Sequence, residues 1–437
     1  MKKSITAVIL TGGVGKRFWP LVADKNLFPF LGKKLIERNI LDNMPAEITR
    51  IVVITNPYNT AAFKSLQYPK PYQIVVQENP GGMADALLTA ESELKDCSLL
   101  IYLSSHIVER NLYSDIIAAA KRTECFGVIP GSKVSYYMPL GYLKTDGNRI
   151  REIIEKPGAG NEPSDMVDIT GHYISESNAL IDELKKTPSD QDDAYEKALS
   201  RLMVKREFIL YSYKGYSVPL KYPWHILDIM DAFLSDITAA SYGRNIIIKQ
   251  HVTVEGPVEI SDGVKIMENS KIVGPCYIGP GTIIGNNSLI RASHIGANCV
   301  IGFGTEITRS YIGDNCWFHA NFIGDSIIES DVAMGAGSVC ANFRLDEQTV
   351  KSSQVSQRVD TMRNKLGSII ANGVRIGVNC TIMPGTKIGT STFISAGCIV
   401  SQDIAENSFC KSQQELVIRK NKSKLQSDRN TWRGKIK

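Results

Sequence analysis

The chain has 437 residues, 43% of them hydrophobic and 22% charged, a length for two or three domains and a composition that excludes disordered and fibrous classes. Its 50 Lys and Arg against 45 Asp and Glu leave a formal charge of +5, too even a balance for a nucleic-acid partner. No apolar stretch is long enough to span a bilayer, and the start MKKSITAVIL stops at Thr11-Gly12-Gly13 without a small-residue cleavage site. A cytoplasmic location is therefore expected, with the nine cysteines reduced.

Short apolar runs at residues 7–10, 51–54, 74–76 and 99–103 alternate with helical patterns at 84–94 and 112–120. Alternation of this kind predicts a mostly parallel α/β sheet with helices on both faces, and ligands beyond the C-terminal ends of its strands. After the first run comes Thr11-Gly12-Gly13-Val14-Gly15-Lys16-Arg17-Phe18. Gly12, Gly13 and Gly15 let backbone N–H groups close on phosphate oxygens, and Lys16 and Arg17 add positive charge. The loop is not a Walker A motif, because Leu10 takes the place of the first Gly and Arg17 follows the Lys. Nor is it a dinucleotide fingerprint, because Arg17-Phe18 replaces the last small residue.

Read on through Asp24-Lys25-Asn26-Leu27-Phe28-Pro29 and Gly32-Lys33-Lys34-Leu35-Ile36-Glu37, the stretch resembles the sugar-1-phosphate nucleotidyltransferase signature, G-x-G-T-R followed by P-K-x-L-x-P and G-K-P-L-I-E. Gln77 with Gly81-Gly82-Met83-Ala84-Asp85-Ala86 is similar to the base-reading element of that family, and Gly141-Tyr142 and Glu155-Lys156-Pro157 to its sugar-binding elements. The resemblance implies a Rossmann-like nucleotidyltransferase domain over residues 1–240 that takes a nucleoside triphosphate and a sugar 1-phosphate. It implies that Arg17 holds the triphosphate as charge builds on the leaving pyrophosphate, and that Lys25 binds the sugar phosphate and α-phosphate. Gln77 and Gly82 would contact the base, and Gly141, Glu155 and Lys156 the sugar. Without the motif, Glu155 reads as a solvated acid.

That family holds Mg²⁺ with two acidic residues. Here the first falls on Ser105, or one place along on His106, and the second on His225 within Tyr222-Pro223-Trp224-His225. Ser and His are poor Mg²⁺ donors, so no metal ligand is assigned. Two readings follow: a nucleotidyltransferase with altered metal positions, or a non-catalytic homologue that binds a nucleotide or sugar nucleotide and regulates or scaffolds a partner.

From Val254 onward the sequence repeats. Ile260, Ile266, Ile272, Ile278, Ile284 and Ile290 fall on a six-residue step that continues to Ile394 with some steps of five or seven. A small residue tends to follow four places on, as at Ser270, Cys276, Thr282, Cys299, Cys316, Cys380 and Cys398. This hexapeptide pattern predicts a parallel β-helix over residues 244–418, with aliphatic residues inside and the cysteines as core filler. Residues 342–365 break the repeat and read as a loop projecting from one coil, and the basic run 419–437 reads as a solvated tail.

Phe318-His319-Ala320-Asn321 and Gly335-Ala336-Gly337 through Ala341-Asn342 resemble the acetyltransferase half of bifunctional N-acetylglucosamine-1-phosphate uridyltransferases, especially archaeal ones. The resemblance implies a left-handed helix, a homo-oligomer (trimer or hexamer) and acetyl-CoA bound in clefts between neighbours. His319 would be the general base, Arg291 a sugar-phosphate contact, and Asn342 a neighbour of the acyl donor. The family's Lys, Tyr and Asn contacts are replaced by Thr308, Phe322 and Ala333. Without the motif, His319 reads as a residue packing a coil corner.

Overall fold

The computed structural model describes residues 4–354, 357–413 and 418–422, so residues 423–437 of the basic tail lie outside the described residues. The first half is built on a ten-stranded sheet. Its central strand, Ile5–Leu10, lies parallel between Ile48–Thr55 and Ser98–Leu103. Side chains alternate along these strands. Val8, Val52, Ile54, Leu99 and Ile101 face helices Gly82–Thr89, Ser177–Lys185 and Ala194–Lys205. Ala7, Ile9, Ile51, Val53, Leu100 and Tyr102 face helix Leu112–Thr123. Burial on both sides is why these strands are apolar throughout.

The sheet is more mixed than the sequence predicts. Strands Gly141–Asp146 and Arg149–Glu155 form an antiparallel hairpin around Gly147, and His172–Ile174 runs antiparallel to Ser98–Leu103. A turn this short can join only antiparallel strands, and nothing in the apolar pattern separates the two directions. The helix expected over residues 84–94 ends at Thr89 and resumes as a 3₁₀ turn, Glu91–Leu94.

From Ser241 to Cys410 the chain winds into three parallel sheets of eight, nine and eight strands, a left-handed parallel β-helix. On one face Ile260 stacks on Ile278, and Ile278 on Ile295 and then Ile312. The interior of all three faces is one continuous apolar column. Each fully buried aliphatic side chain contributes about 1.5–3 kcal/mol. The corners need a left-handed backbone, and Asn269, Asn287, Asn298, Asn315 and Asn379 supply it with φ of 54–61°. The small-residue positions are buried, and their hydroxyls tie one coil to the next: Ser270 Oγ donates to Gly285 O at 2.7 Å and Thr282 Oγ1 to Gly296 O at 2.8 Å. Cys276, Cys299, Cys316, Cys380 and Cys398 fill the same slots as free thiols, while Cys340 stands in the aliphatic position between Ile323 and Ile382, and burial pushes Cys276 and Cys340 up to about 11.

The two halves share a core. Tyr277, His294 and Tyr311 stack along one outer face of the β-helix, with ring centroids 5.0 and 4.5 Å apart, and receive the segment that follows the phosphate loop. Tyr311 packs on Phe28 and Phe30 and donates its hydroxyl to Pro29 O at 2.7 Å. His294 donates from Nδ1 to Ile312 O and accepts the Leu31 N–H at Nε2, each at 3.1 Å, so burial keeps the ring neutral with its pKa lowered to about 4. Glu329 accepts N–H bonds from Val22, Ala23 and Asn372. The insert at residues 342–365 does not simply project from its coil but packs back on the join between the halves. It carries a hairpin, Lys351–Gln354 with Gln357–Asp360, and its flanks Val350 and Leu366 are buried in the shared core because they are apolar. Arg363 completes the join with an ion pair to Asp228.

Candidate functional site

At the C-terminal edge of the parallel strands, Thr11 N donates to Ile54 O at 2.9 Å and Asn56 Nδ2 to Gly12 O at 3.0 Å, fixing the start of the Gly-rich loop. Gly15 turns it with φ 63°, and Phe18 is buried beneath, leaving Lys16 and Arg17 exposed on the 3₁₀ turn Lys16–Phe18. Gln77 follows strand Tyr72–Val76, donates its backbone N–H to Thr55 O, and presses its carboxamide against the loop. A Cβ at Gly12 would stand 2.6 Å from Gln77 Oε1, so the loop requires Gly there. The Gln77 side chain is almost fully buried, with Nε2 held by Asp85 Oδ2 at 2.5 Å. Gly82, with φ 87°, opens the helix beside it and abuts Asp192.

Lys25 is enclosed next to this loop. Burial lowers its pKa, opposed by the Asp24 carboxylate and reinforced by Arg17. Asp24 is itself occupied: Oδ1 accepts from Asn26 N and Nδ2, both at 2.8 Å, and Oδ2 from Asn59 Nδ2 at 2.8 Å. Both Asp24 oxygens are thus taken up by amide donors.

Across the cleft, the hairpin register sets Gly141 directly opposite Glu155, so the two sugar-element motifs form one unit. Lys156 pairs with Glu155 at 2.5 Å. A Cβ on Gly141 would lie 2.5 Å from Asp168 Oδ1, which explains the Gly. Asp168 and Lys221 are the residues that motif reasoning missed. Lys221 donates from Nζ to Pro139 O, just before Gly141. The available signals were Asp168 ahead of Ile169-Thr170-Gly171, and a lone Lys beside Tyr222-Pro223-Trp224.

Burial, with Glu155 nearby, raises Asp168 to about 7, and burial with Glu155 and Asp168 raises Glu196 to about 8. His172 Nε2 lies 3.6 Å from Asp168, and Lys221 partly offsets the repulsion. Between the unfolded value of 3.8 and about 7 the folded chain holds a proton on Asp168 that the unfolded chain has lost, so stability from this group falls as pH rises through that window. Asp168→Asn is expected to flatten the fall and to be more stable than wild type at pH 8 by roughly 2–4 kcal/mol, with little difference near pH 4. Urea denaturation of both proteins at the two pH values checks this.

A cavity of about 780 Å³ lies beside Lys221 and His225, walled by Tyr136, Tyr137 and Tyr222 and closed by residues 359–363 of the insert. In the β-helix, a recess of about 330 Å³ is lined by Trp317, His319, Met334 and Arg375. His319 is exposed at the corner after strand Trp317–Phe318, and its N–H is held by Asn321 Oδ1 at 2.6 Å. Arg291 and Asn342 are not in this recess. Arg291 ends strand Leu289–Arg291 in register with Thr308, while Asn342 Nδ2 donates to Asp325 Oδ2 at 2.5 Å. Asp325 also takes a bidentate pair from Arg309 at 2.7 and 2.8 Å.

Comparison with known proteins joins these two sites. A nucleotidyl transferase family model matches residues 6–216, and a bacterial transferase hexapeptide model matches residues 257–292. The chain is 32% identical over 414 residues to a bifunctional sugar-1-phosphate nucleotidylyltransferase/acetyltransferase of Sulfurisphaera tokodaii, covering 93% of this chain and 99% of that one. The chain belongs to this family. It is also 29% identical over 428 residues to the bifunctional protein GlmU of Methanococcus maripaludis, covering 95% of this chain and 100% of the relative. A solved UDP-glucose pyrophosphorylase complexed with UDP-glucose aligns with a TM-score of 0.48 and 16% identity, over 53% of this chain and 98% of its own.

Mg²⁺ is the cation that the fold of this family implies, and the donors at its positions do not fit it. Ser105 offers a hydroxyl. His106 is buried, held by Ser217 Oγ at 2.8 Å, and its pKa is depressed to about 3 by burial and then by Lys221. His225 Nδ1 lies 2.6 Å from Pro219 O, and burial lowers its pKa as well. A hydroxyl and neutral imidazoles are not the hard anionic oxygens that Mg²⁺ takes. Among the described residues no group of three or more His, Cys, Asp or Glu is placed to hold a metal.

Proposed function

We propose that the N-terminal half makes an NDP-sugar and pyrophosphate from a nucleoside triphosphate and a sugar 1-phosphate. The observation that carries this is the enclosed Lys25, its partner Asp24 occupied by Asn26 and Asn59, standing beside the Gly-rich loop. In this reading the N–H groups of Gly12, Gly13 and Gly15 close on the triphosphate with Lys16, and Arg17 meets the charge that builds on pyrophosphate. Gln77 and Gly82 flank the base, while Gly141, Glu155 and Lys156 bind the sugar. Residues 1–240 form this unit, and residues 244–418 the second.

Pyrophosphate release should be measured with a panel of nucleoside triphosphates and sugar 1-phosphates, with and without Mg²⁺. Turnover of at least one pair is expected. None above a Lys25→Ala control in any condition retires the reading and leaves the non-catalytic homologue, a nucleotide or sugar-nucleotide binder, to be tested by calorimetry.

A second activity is favoured by the recess at His319. Acetyl-CoA would donate to an amino sugar phosphate, with His319 taking the amine proton. His319 follows a strand of one sheet, whereas Arg291 ends Leu289–Arg291 and Asn342 follows Val339–Cys340 on the next sheet, so the corners are separated by about five residues of extended chain, roughly 15 Å. One copy therefore does not assemble the site, and a homo-oligomer, trimer or hexamer, brings the corners together. The free thiols of the nine cysteines support a reducing, cytoplasmic setting.

A further inference from the structure

The nucleotidyl-transfer reading leaves a gap: two acidic ligands are gone, yet a triphosphate and a sugar phosphate must still be held within bonding distance. The segment that bridges the two altered positions is the one that carries Lys221. The Leu220 N–H donates to Ser105 O at 2.8 Å, and His225 Nδ1 donates to Pro219 O at 2.6 Å, two residues ahead of Lys221. From there the side chain runs into the sugar side of the cleft, where Nζ donates to Pro139 O ahead of Gly141. Glu155, Lys156, Arg17 and Asp168 all act on its charge, so the ammonium is within electrostatic reach of both the triphosphate loop and the sugar element. Burial lowers the Lys221 pKa to about 8, which still leaves it mostly protonated at neutral pH.

Two carboxylates with one divalent cation are formally neutral, whereas Ser105 and a neutral His225 with one ammonium carry a single positive charge. The exchanged positions therefore keep one net positive charge without a metal.

We infer that the Lys221 ammonium takes the place of the divalent cation, so that this chain transfers a nucleotidyl group without a protein-held metal. This rests on the nucleotidyl-transfer reading. A sugar-phosphate oxygen attacks the α-phosphorus with its lone pair, forming the new O–P bond. The bond from the α-phosphorus to the bridging oxygen breaks, its electron pair leaves with pyrophosphate, and no proton need move. Lys221, Arg17 and Lys25 neutralise the oxygens throughout.

The test uses the full chain in excess EDTA. Wild type is expected to keep pyrophosphate release within about 3-fold of its rate with Mg²⁺, while Lys221→Met loses about 100-fold in EDTA and Lys221→Arg recovers part of it. Turnover only with Mg²⁺, or Lys221→Met equal to wild type, overturns the inference. Calorimetry with metal-free inorganic pyrophosphate separates the two readings and covers a failure of turnover. If no substrate pair reacts under any condition, nucleotidyl transfer fails as the function. Lys221 is then supported as the anion's cation by binding that weakens about 10-fold in Lys221→Met, and rejected by binding that is unchanged or needs Mg²⁺. Thermal melts establish that both variants fold.

Discussion

Lys25→Ala is expected to cut pyrophosphate release by about 10²–10³-fold and, in the same protein, to raise the melting temperature. Both effects have one origin. The ammonium is enclosed, burial lowers its pKa, and the nearest carboxylate is already held by Asn26 and Asn59. A group whose pKa is lowered by folding has its charged form disfavoured in the folded state, so an uncharged replacement relieves the free protein. The same unmet charge acts strongly on a bound phosphate, because little water screens it there. Lys25→Arg should restore little activity, since a planar guanidinium does not reproduce a compact ammonium in an enclosed place. The measurements are kcat/KM for a reacting pair and a thermal melt without ligand. A variant within about 3-fold of wild type would move the phosphate charge onto Arg17 and Lys221.

The features legible in the sequence were those that depend on periodicity or on backbone shape. The apolar runs located the parallel strands because burial on both faces demands them, and the hexapeptide step located the β-helix because every coil needs the same interior residues. Gly12 and Gly141 carried information for a related reason: each stands where a Cβ would strike Gln77 or Asp168. What stayed hidden depends on long-range approach. Asp168 takes its character from burial and from Glu155, and Lys221 from the way Leu220 and His225 anchor its segment. The insert at residues 342–365 looked like a projecting loop because its charges are conspicuous, whereas Val350 and Leu366 decide where it packs. Nor does any motif announce the docking of Leu31 on His294 or of Pro29 on Tyr311. That docking ties the segment carrying Lys25 to the β-helix, so the two halves form one mechanical unit.

His319→Ala is expected to lower acetyl transfer from acetyl-CoA to glucosamine 1-phosphate by about 10²–10⁴-fold while leaving pyrophosphate release unchanged. The imidazole stands exposed over a recess with Trp317 alongside, its ring centroid 5.9 Å away, and Gly302 in the coil below leaves it room. Its backbone is held as well. Asn321 accepts the His319 N–H and donates to Gly335 O and Ser338 O, each at 2.9 Å, so the corner position does not depend on the ring. The substitution should therefore remove the base without loosening the coil. Because Asn342 and Arg291 stand at the next corner, inactive His319→Ala and inactive Asn342→Ala chains should complement each other when refolded together. In a randomly mixed trimer each site draws its base from one copy and its acyl-donor contacts from another, so about one quarter of the sites would be intact. Failure of the mixture to exceed either parent, with His319→Ala itself inactive, would place the whole site within one copy and require Asn342 to act from a distance. Retention of full activity by His319→Ala would return His319 to the role of packing a coil corner.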